Sequence, residues 1–281
     1  MRRRVAVARN LFKAWLVLAV PAAVMGFAGW RLGGYGLTLL FVGSIVLVAG
    51  AVYFYSDRVA MGMVGASELL PGEAPALHSA VQTLAGRAGV VPPKLYVLRD
   101  GYPRALGAGR GANGGAALAV STGLLGVATP AELEGVVAHQ LAHLKTRDVL
   151  VETIAAICAG AVVEASRVGG WLQRALLFVL GPLSASFVHL LLSPKREFAA
   201  DEFAADLCAS PHGLADALLR LEQGMELVEF AASPATEPLY VTNPFAEEGL
   251  GALFATHPPV GERVGRLRDL DPDWRDRLRA A

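Results

Sequence analysis

The chain is poor in cysteine and in charged residues, and both shortages exclude classes of protein. Two cysteines among 281 residues are too few for a disulfide framework or a cysteine-rich zinc module. Charged residues make up 18% of the chain, against roughly 25% in an average soluble domain. The 25 basic and 25 acidic residues cancel, so no overall basic field attracts nucleic acid. The 54% apolar content excludes a disordered chain and is too high for an ordinary soluble enzyme.

Long uncharged segments account for the apolar excess and predict membrane helices. Residues 14–30 and 32–56 lack charge, and a membrane crossing takes about 20 apolar residues. The alternative for the start of the chain is a cleaved signal peptide, although a second apolar segment follows at once. Five basic residues precede the first segment and only Arg31 lies in the turn, which predicts a cytoplasmic N-terminus. We therefore expect residues 1–56 to form a transmembrane hairpin.

A second apolar region, residues 149–194, predicts a hydrophobic helical hairpin embedded in the membrane. The alternative is that this region packs on the membrane surface. Charge bias does not decide between the two, because Arg167 and Arg174 in the intervening loop match Lys195 and Arg196 beyond the region. The flanking parts, residues 57–148 and 195–281, have the mixed pattern of a folded domain, with strands predicted at 94–99 and 116–121. The expected fold class is α+β, mainly α, with membrane helices and a small sheet.

The segment that begins at Thr129 predicts a helix with metal-binding potential. Thr129 can cap the helix, Pro130 suits its first turn, and Glu132 completes a capping box. His139 and His143 are four residues apart, so they project from one face about 40° apart and can bind one metal ion. An isolated HxxxH pair is a weak signal, because such pairs are more often structural or exposed.

A carboxylate on a later helix is the candidate for a third ligand. Glu197 and Asp201 lie at i and i+4, so Glu197 can bind the metal while Asp201 orients a ligand histidine. On spacing alone, an equal alternative is that Glu197 merely complements the helix dipole. Two histidines and one carboxylate leave zinc an open position for water, which is a catalytic arrangement.

Several segments, in order, resemble the HtpX-type membrane zinc metallopeptidases, which are distant relatives of the CAAX prenyl endopeptidases. The resemblance covers most of the chain, to about Leu270. The matching segments are PKLYVL (93–98), AVSTGLL (119–125), ELEGVVAHQLAHLKTRD (132–148), REFAAD (196–201) and THPPVGERVGRL (256–267). The resemblance implies a zincin-type metallopeptidase domain, split by the second apolar region, that faces the cytoplasm from the inner cell membrane. Its implied activity is hydrolysis of peptide bonds in membrane or misfolded proteins.

The same resemblance implies roles for individual residues. His139, His143 and Glu197 would hold one zinc ion, and Asp201 would support them from outside the ligand set. The implied partners are an extended protein or peptide substrate and membrane lipid, with no nucleic acid and no nucleotide. The one nucleotide-like motif, GxGxxG at 109–114, precedes a predicted strand and therefore indicates a hairpin turn.

The resemblance also implies a groove for the substrate. The strand at 116–121 is similar to the family's edge strand, along which an extended peptide adds as a further strand. This places Ala117, Leu118 and Ala119 in the groove. His257 and Arg263 fall in the C-terminal motif, with a role near the active site or in anchoring the tail.

Gln140 departs from the family pattern HExxH, in which this position holds the glutamate that acts as general base. An amide cannot accept a proton from water at neutral pH, and loss of such help typically costs about 10²–10⁴ in rate. Arg104-Ala105-Leu106 likewise replaces the family's Asn-Ala-Phe. Two interpretations stay open. Gln140 is an introduced, inactivating change in a working protease, or it is native. A native Gln140 makes the chain a very slow enzyme or a zinc-binding pseudo-protease that serves as a scaffold for peptides or membrane proteins.

Overall fold

A computed structural model describes residues 2–165, 192–227, 234–242 and 256–274. The strands are β1 (Ser67–Glu68), β2 (Lys94–Leu98), β3 (Ala105–Gly109) and β4 (Ala116–Ser121). The helices are α1 (Arg2–Met63), α2 (Pro75–Ala88), α3 (Thr122–Val127), α4 (Pro130–Thr146), α5 (Asp148–Ala165), α6 (Lys195–Cys208), α7 (His212–Leu227) and α8 (Val260–Asp269), with a 3₁₀ helix at Pro234–Leu239. The fold is mainly helical with one small mixed sheet, which confirms the predicted class.

The chain reverses direction inside α1, as the sequence predicts for residues 31–34. Gly33 and Gly34 leave helical geometry, and Gly34 has a φ of 63°, which glycine adopts without steric cost. Thr38 Oγ1 lies 3.4 Å from the Gly26 carbonyl oxygen. A straight helix would separate these residues by about 18 Å, so the two arms lie side by side.

Part of α1 is apolar enough to cross a membrane. The stretch Ala22–Met63 has a mean hydropathy of 2.3 in its most apolar window, none of which is buried in the protein. It is the one helix of this kind in the described part of the chain. Asn10 Nδ2, near the other end of α1, donates a hydrogen bond to the Thr146 carbonyl at the end of α4. The hairpin is therefore attached directly to the helix that carries the histidines.

The second apolar region is described only in its first part. Helix α5 covers that part and packs against α1 and the 3₁₀ helix. Val149 and Ala155 are fully buried, and Ile154 is nearly so. Residues 166–191, which make up most of the second half of the predicted hairpin 149–194, lie outside the described residues.

The sheet has the strand order β1-β2-β4-β3, which corrects the sequence prediction for residues 116–121. Strand β4 is central: it pairs in parallel with β2 and antiparallel with β3. Ala117, Leu118 and Ala119 have a neighbouring strand on both sides, so a peptide cannot add there. Among the described strands the sheet ends at β1 and β3, and β3 packs against Gln140 of α4. The alanine- and glycine-rich sequence of β3 gives little strand signal. The GxGxxG segment joins β3 to β4 and confirms the predicted hairpin turn.

Helix α4 lies in the middle of the helical layer. Thr129 and Glu132 form the predicted capping box at its start. Val137 and Leu141 are fully buried between the sheet and the other helices. Gly135 permits close approach to α7, because a methyl group there would lie 2.5 Å from the Leu214 nitrogen. The packing therefore fixes the position of the histidine-bearing face.

Candidate metal centre

Three predicted ligands meet in the protein interior. His139 and His143 on α4 bring their Nε2 atoms within 3.2 Å of each other. Glu197, in the first turn of α6, places Oε2 3.5 Å from His139 Nε2 and Oε1 3.6 Å from His143 Nε2. One ligand atom from each residue lies within 4.8 Å of the others, which is close enough for a shared ion. Glu197 therefore does more than complement the dipole of its helix.

Each histidine is oriented by a carboxylate on its other ring nitrogen. His139 Nδ1 lies 2.9 Å from Asp201 Oδ1, and His143 Nδ1 lies 3.0 Å from Asp148 Oδ2. An ionised carboxylate only accepts hydrogen bonds, so each Nδ1 carries a proton and Nε2 is the nitrogen left to bind a metal ion. A metal ion would take the place of any proton on these Nε2 atoms. Sequence reasoning predicted Asp201 for this position and missed Asp148.

Arg263 connects the C-terminal motif to this arrangement. Its side chain is completely buried and forms a bidentate pair with Asp201, at 2.8 Å to Oδ2 and 2.7 Å to Oδ1. Burial raises the pKa of the Asp201 carboxyl, but the adjacent Arg263 charge outweighs burial and lowers it. Asp201 therefore stays ionised and holds His139 in one orientation. This contact fits both roles considered for Arg263, near the active site and in anchoring the tail, because it attaches α8 to the metal centre.

A further ion pair lies beside His143. Glu152 on α5 is 3.3 Å from His143 Nδ1 and also contacts Arg196 of α6. Burial lowers the pKa of the His143 imidazole, but the charges of Asp148, Glu152 and Glu197 raise it well above its ordinary value. The centre therefore favours positive charge strongly. Glu152 had a usable sequence signal, since a carboxylate within an apolar segment usually has a charged partner or a functional role.

The chemistry of Glu197 indicates that the centre fits a metal ion. The carboxylate is fully buried, and within the described part of the chain neither oxygen meets hydrogen-bond geometry, although Arg196 Nη2 lies 3.4 Å from Oε1. Burial raises its pKa, but the charges of His257, His143 and Arg196 lower it well below the ordinary value, so the group is ionised. A buried carboxylate without hydrogen bonds is costly unless a cation compensates it. Two imidazole nitrogens and a carboxylate oxygen are the donor set of catalytic zinc sites.

Gln140 and His257 lie at the border of this centre. Gln140 is 3% exposed, and its side chain packs against Gly107 of the edge strand, where a methyl group would overlap Oε1. His257 Nε2 lies 3.7 Å from Glu197 Oε2. Gln140 thus stands between the histidine helix and β3, and His257 approaches from the C-terminal motif.

The fold and this centre together define a class of protein. The model of Peptidase family M48 matches residues 71–271, a segment that contains the three candidate ligands, Asp201 and Arg263. The match covers more than half of the chain. The chain therefore belongs to peptidase family M48, a metallopeptidase family whose members generally hold zinc.

Within this family the chain is similar to proteins named Protease HtpX homolog. The one from Pelotomaculum thermopropionicum is 37% identical over 276 residues, covering 92% of this chain and 98% of its own. The one from Salinibacter ruber is 36% identical over 271 residues, covering 93% and 98%. The crystal structure of S. mikatae Ste24p is similar over 92% of this chain and 64% of its own, with a TM-score of 0.49 and 16% identity. The curated relatives confirm the HtpX-type resemblance.

Proposed function

We propose that the chain is a membrane-anchored zinc metalloendopeptidase of HtpX type that hydrolyses peptide bonds in membrane or misfolded proteins. The observation that carries this proposal is the ionised, fully buried Glu197 carboxylate, which meets no hydrogen-bond geometry among the described residues and lies 3.5 Å and 3.6 Å from the Nε2 atoms of His139 and His143. His139, His143 and Glu197 would hold one zinc ion. When bound, the ion supplies a Lewis acid for the peptide carbonyl and lowers the pKa of water.

The chain's own residues position the reaction. Asp201 and Asp148 fix the tautomers of the two histidines. The outer edge of β3 would bind an extended substrate through backbone hydrogen bonds. His257, whose Nε2 lies 3.7 Å from Glu197 Oε2, would donate a hydrogen bond toward negative charge that develops on the substrate carbonyl.

Gln140 limits the activity of this arrangement. Its amide can hold a water molecule by a hydrogen bond but cannot take its proton, so we expect a rate about 10²–10⁴ below that of a chain with glutamate. Among the described residues the nearby carboxylates do not substitute, because Asp148, Glu152 and Asp201 face the Nδ1 sides of the histidines. Glu132 is tied to Arg220 through hydrogen bonds at 2.8 Å and 3.0 Å.

A non-catalytic scaffold is the second candidate function. It is favoured by two departures from the family pattern, Gln140 and Arg104. Arg104 occupies the position of the family's asparagine, and its side chain contacts Tyr240. In this case the chain would bind zinc and hold peptides or membrane proteins without cleaving them.

The proposed membrane arrangement places several crossings before and within the peptidase domain. Residues 1–56 would form a transmembrane hairpin with both ends in the cytoplasm, and 149–194 would form an embedded hairpin. Residues 57–148 and 195–281 would then build one domain on the cytoplasmic side. The exposed apolar surface of the Ala22–Met63 stretch supports the first of these elements.

The substitution Gln140→Glu tests the peptidase function. The variant, purified in detergent and loaded with zinc, should cleave casein about 10²–10⁴ times faster than the parent chain. The matched control is Gln140→Ala, which should not gain activity, and Gln140→Glu combined with Glu197→Gln should lose what was gained. If Gln140→Glu carries zinc and stays inert, the scaffold replaces the peptidase.

A further inference from the structure

The edge strand expected to bind the substrate is already paired with a segment of the same chain. We define the strap as residues Leu239–Thr242. Tyr240 lies opposite Leu106 of β3 in an antiparallel bridge, and the Val241 N–H donates to the Ala105 carbonyl at 3.1 Å. A peptide that adds to a strand edge uses this same kind of backbone pairing. The strap thus occupies β3 in the way that an extended substrate would.

The strap also lies next to the metal centre. The Val241 carbonyl accepts a hydrogen bond from Arg263 Nη1 at 2.5 Å, and the same nitrogen is 3.8 Å from Glu197 Oε2. Arg263 therefore binds the strap through Nη1 and binds Asp201 through Nε and Nη2. On the opposite side, Arg104 donates to the Tyr240 hydroxyl at 3.4 Å.

The strap and the metal centre are both buried in this structure. All four strap residues are buried, with exposures of 1%, 2%, 0% and 7% from Leu239 to Thr242. The side chains of His139, His143 and Glu197 are 0%, 4% and 1% exposed. The backbone at the other end of β3 also has a hydrogen-bond partner, because the Gly109 N–H donates to Thr153 Oγ1 at 2.9 Å. A peptide carbonyl cannot reach Glu197 or the histidines in this arrangement.

We propose that the strap is an internal occupant of the substrate-binding edge, and that an extended peptide binds only by displacing it. This inference rests on the proposed peptidase function, since it assigns the regulation of the same groove. A peptide then competes with Val241 for the Ala105 carbonyl. The resting protein is closed, and substrates that offer a longer extended segment than the strap are favoured.

A reversible covalent tether tests the competition. Leu106 and Tyr240 are directly opposed, and the Val241–Ala105 hydrogen bond flanks the pair, which is the geometry with the shorter Cα separation, about 4.5 Å. Leu106→Cys with Tyr240→Cys, made with Cys158→Ala and Cys208→Ala, should form a disulfide that locks the strap. The probe is a fluorescein-labelled, proline-free decapeptide of alternating apolar and polar residues. Gln140 is kept so that bound peptide is not consumed.

The oxidised form should bind this peptide at least about tenfold more weakly than the reduced form, because the tether raises the effective concentration of the strap. Equal affinities of the two forms would overturn the proposal.

A second variant pair does not depend on new cysteines. Val241→Pro removes the N–H that donates to Ala105, whereas Val241→Ala keeps the N–H and controls for loss of the valine side chain. The proline variant should bind the peptide about fivefold more tightly than the alanine variant, as expected for the loss of one competing hydrogen bond. Equal or weaker binding by the proline variant contradicts the strap.

The metal content of every sample separates the two levels of the argument. If zinc is bound and both variant pairs fail to change peptide affinity, the strap inference falls and the peptidase proposal stands. If the parent chain and the reduced double-cysteine variant bind no zinc, the peptidase proposal falls as well.

Discussion

The α1 hairpin and helix α4 treat polarity in opposite ways. In α1, Leu39 and Leu47 expose 73% and 75% of their surface although both are apolar. In α4, His139 is fully buried and Gln140 and His143 are only 3% exposed although all three are polar. Each helix breaks the ordinary rule that apolar side chains lie inside and polar ones outside.

On the proposed function, the difference means that each helix depends on a component from outside the chain. Exposed leucines on α1 are stable when lipid covers them, since lipid tails are as apolar as the side chains. Buried imidazoles and the Glu197 carboxylate are stable when a cation shares their lone pairs. Helix α1 is therefore adapted to lipid and helix α4 to a metal ion, and substitutions can test each dependence separately.

The largest effect is expected from a charge placed on the exposed apolar surface of α1. Leu47→Lys places a charge on the exposed face of the second arm, which should cost about 2.5–3.5 kcal/mol of insertion free energy at a membrane centre. The measurement is the fraction of chain recovered with membranes after a carbonate wash, which should fall. Leu70→Lys, at a leucine that is 61% exposed outside the hairpin, is the control and should not change it. Equal recovery of the two variants would contradict a membrane role for α1.

An intermediate effect weakens the polar side without touching a ligand. Asp148→Asn removes the charge that orients His143, so metal affinity should fall about 10–100-fold. Competition with a chelator measures this change. Glu134→Gln, at an exposed position on α4, is the control and should bind metal like the parent chain. If both variants bind equally, Asp148 has no positioning role.

The smallest expected effect tests the packing that holds α4 in place. Gly135→Ala would press a methyl group against the α7 backbone and should lower the free energy of unfolding by about 1–3 kcal/mol. Gly126→Ala serves as the control, because a methyl group at Gly126 would meet no atom of the described residues within 4 Å. Thermal unfolding in detergent should show a lower midpoint for Gly135→Ala alone. An unchanged midpoint would mean that α7 can move away at little cost.

Local signals predicted the parts of this centre that lie within one helix. The capping residues Thr129 and Glu132 fixed the start of α4, and the four-residue spacing placed two imidazoles on one face. Glu197 was ambiguous by spacing, because an acidic residue in a first turn also suits the helix dipole. Its role depended on a contact between helices that the family resemblance supplied.

The features that sequence reasoning missed depend on long-range geometry. Strand β3 is rich in alanine and glycine, and it is a strand because β4 and the Tyr240 segment pair with it. The central position of β4 follows from the strand order, which alternation of side chains does not encode. Asp148 becomes a partner of His143 only because the chain turns sharply at Arg147, where φ is 61°.

The metal content of the purified chain tests the central claim most directly. The parent protein should hold one equivalent of zinc after dialysis, and Glu197→Gln should lose it, because the amide supplies neither the charge nor the ionised oxygen that the two imidazoles need. Glu202→Gln, on the exposed side of the same helix, should keep the metal. A metal-free parent protein, or a Glu197→Gln variant that binds zinc as tightly as the parent, would contradict the account.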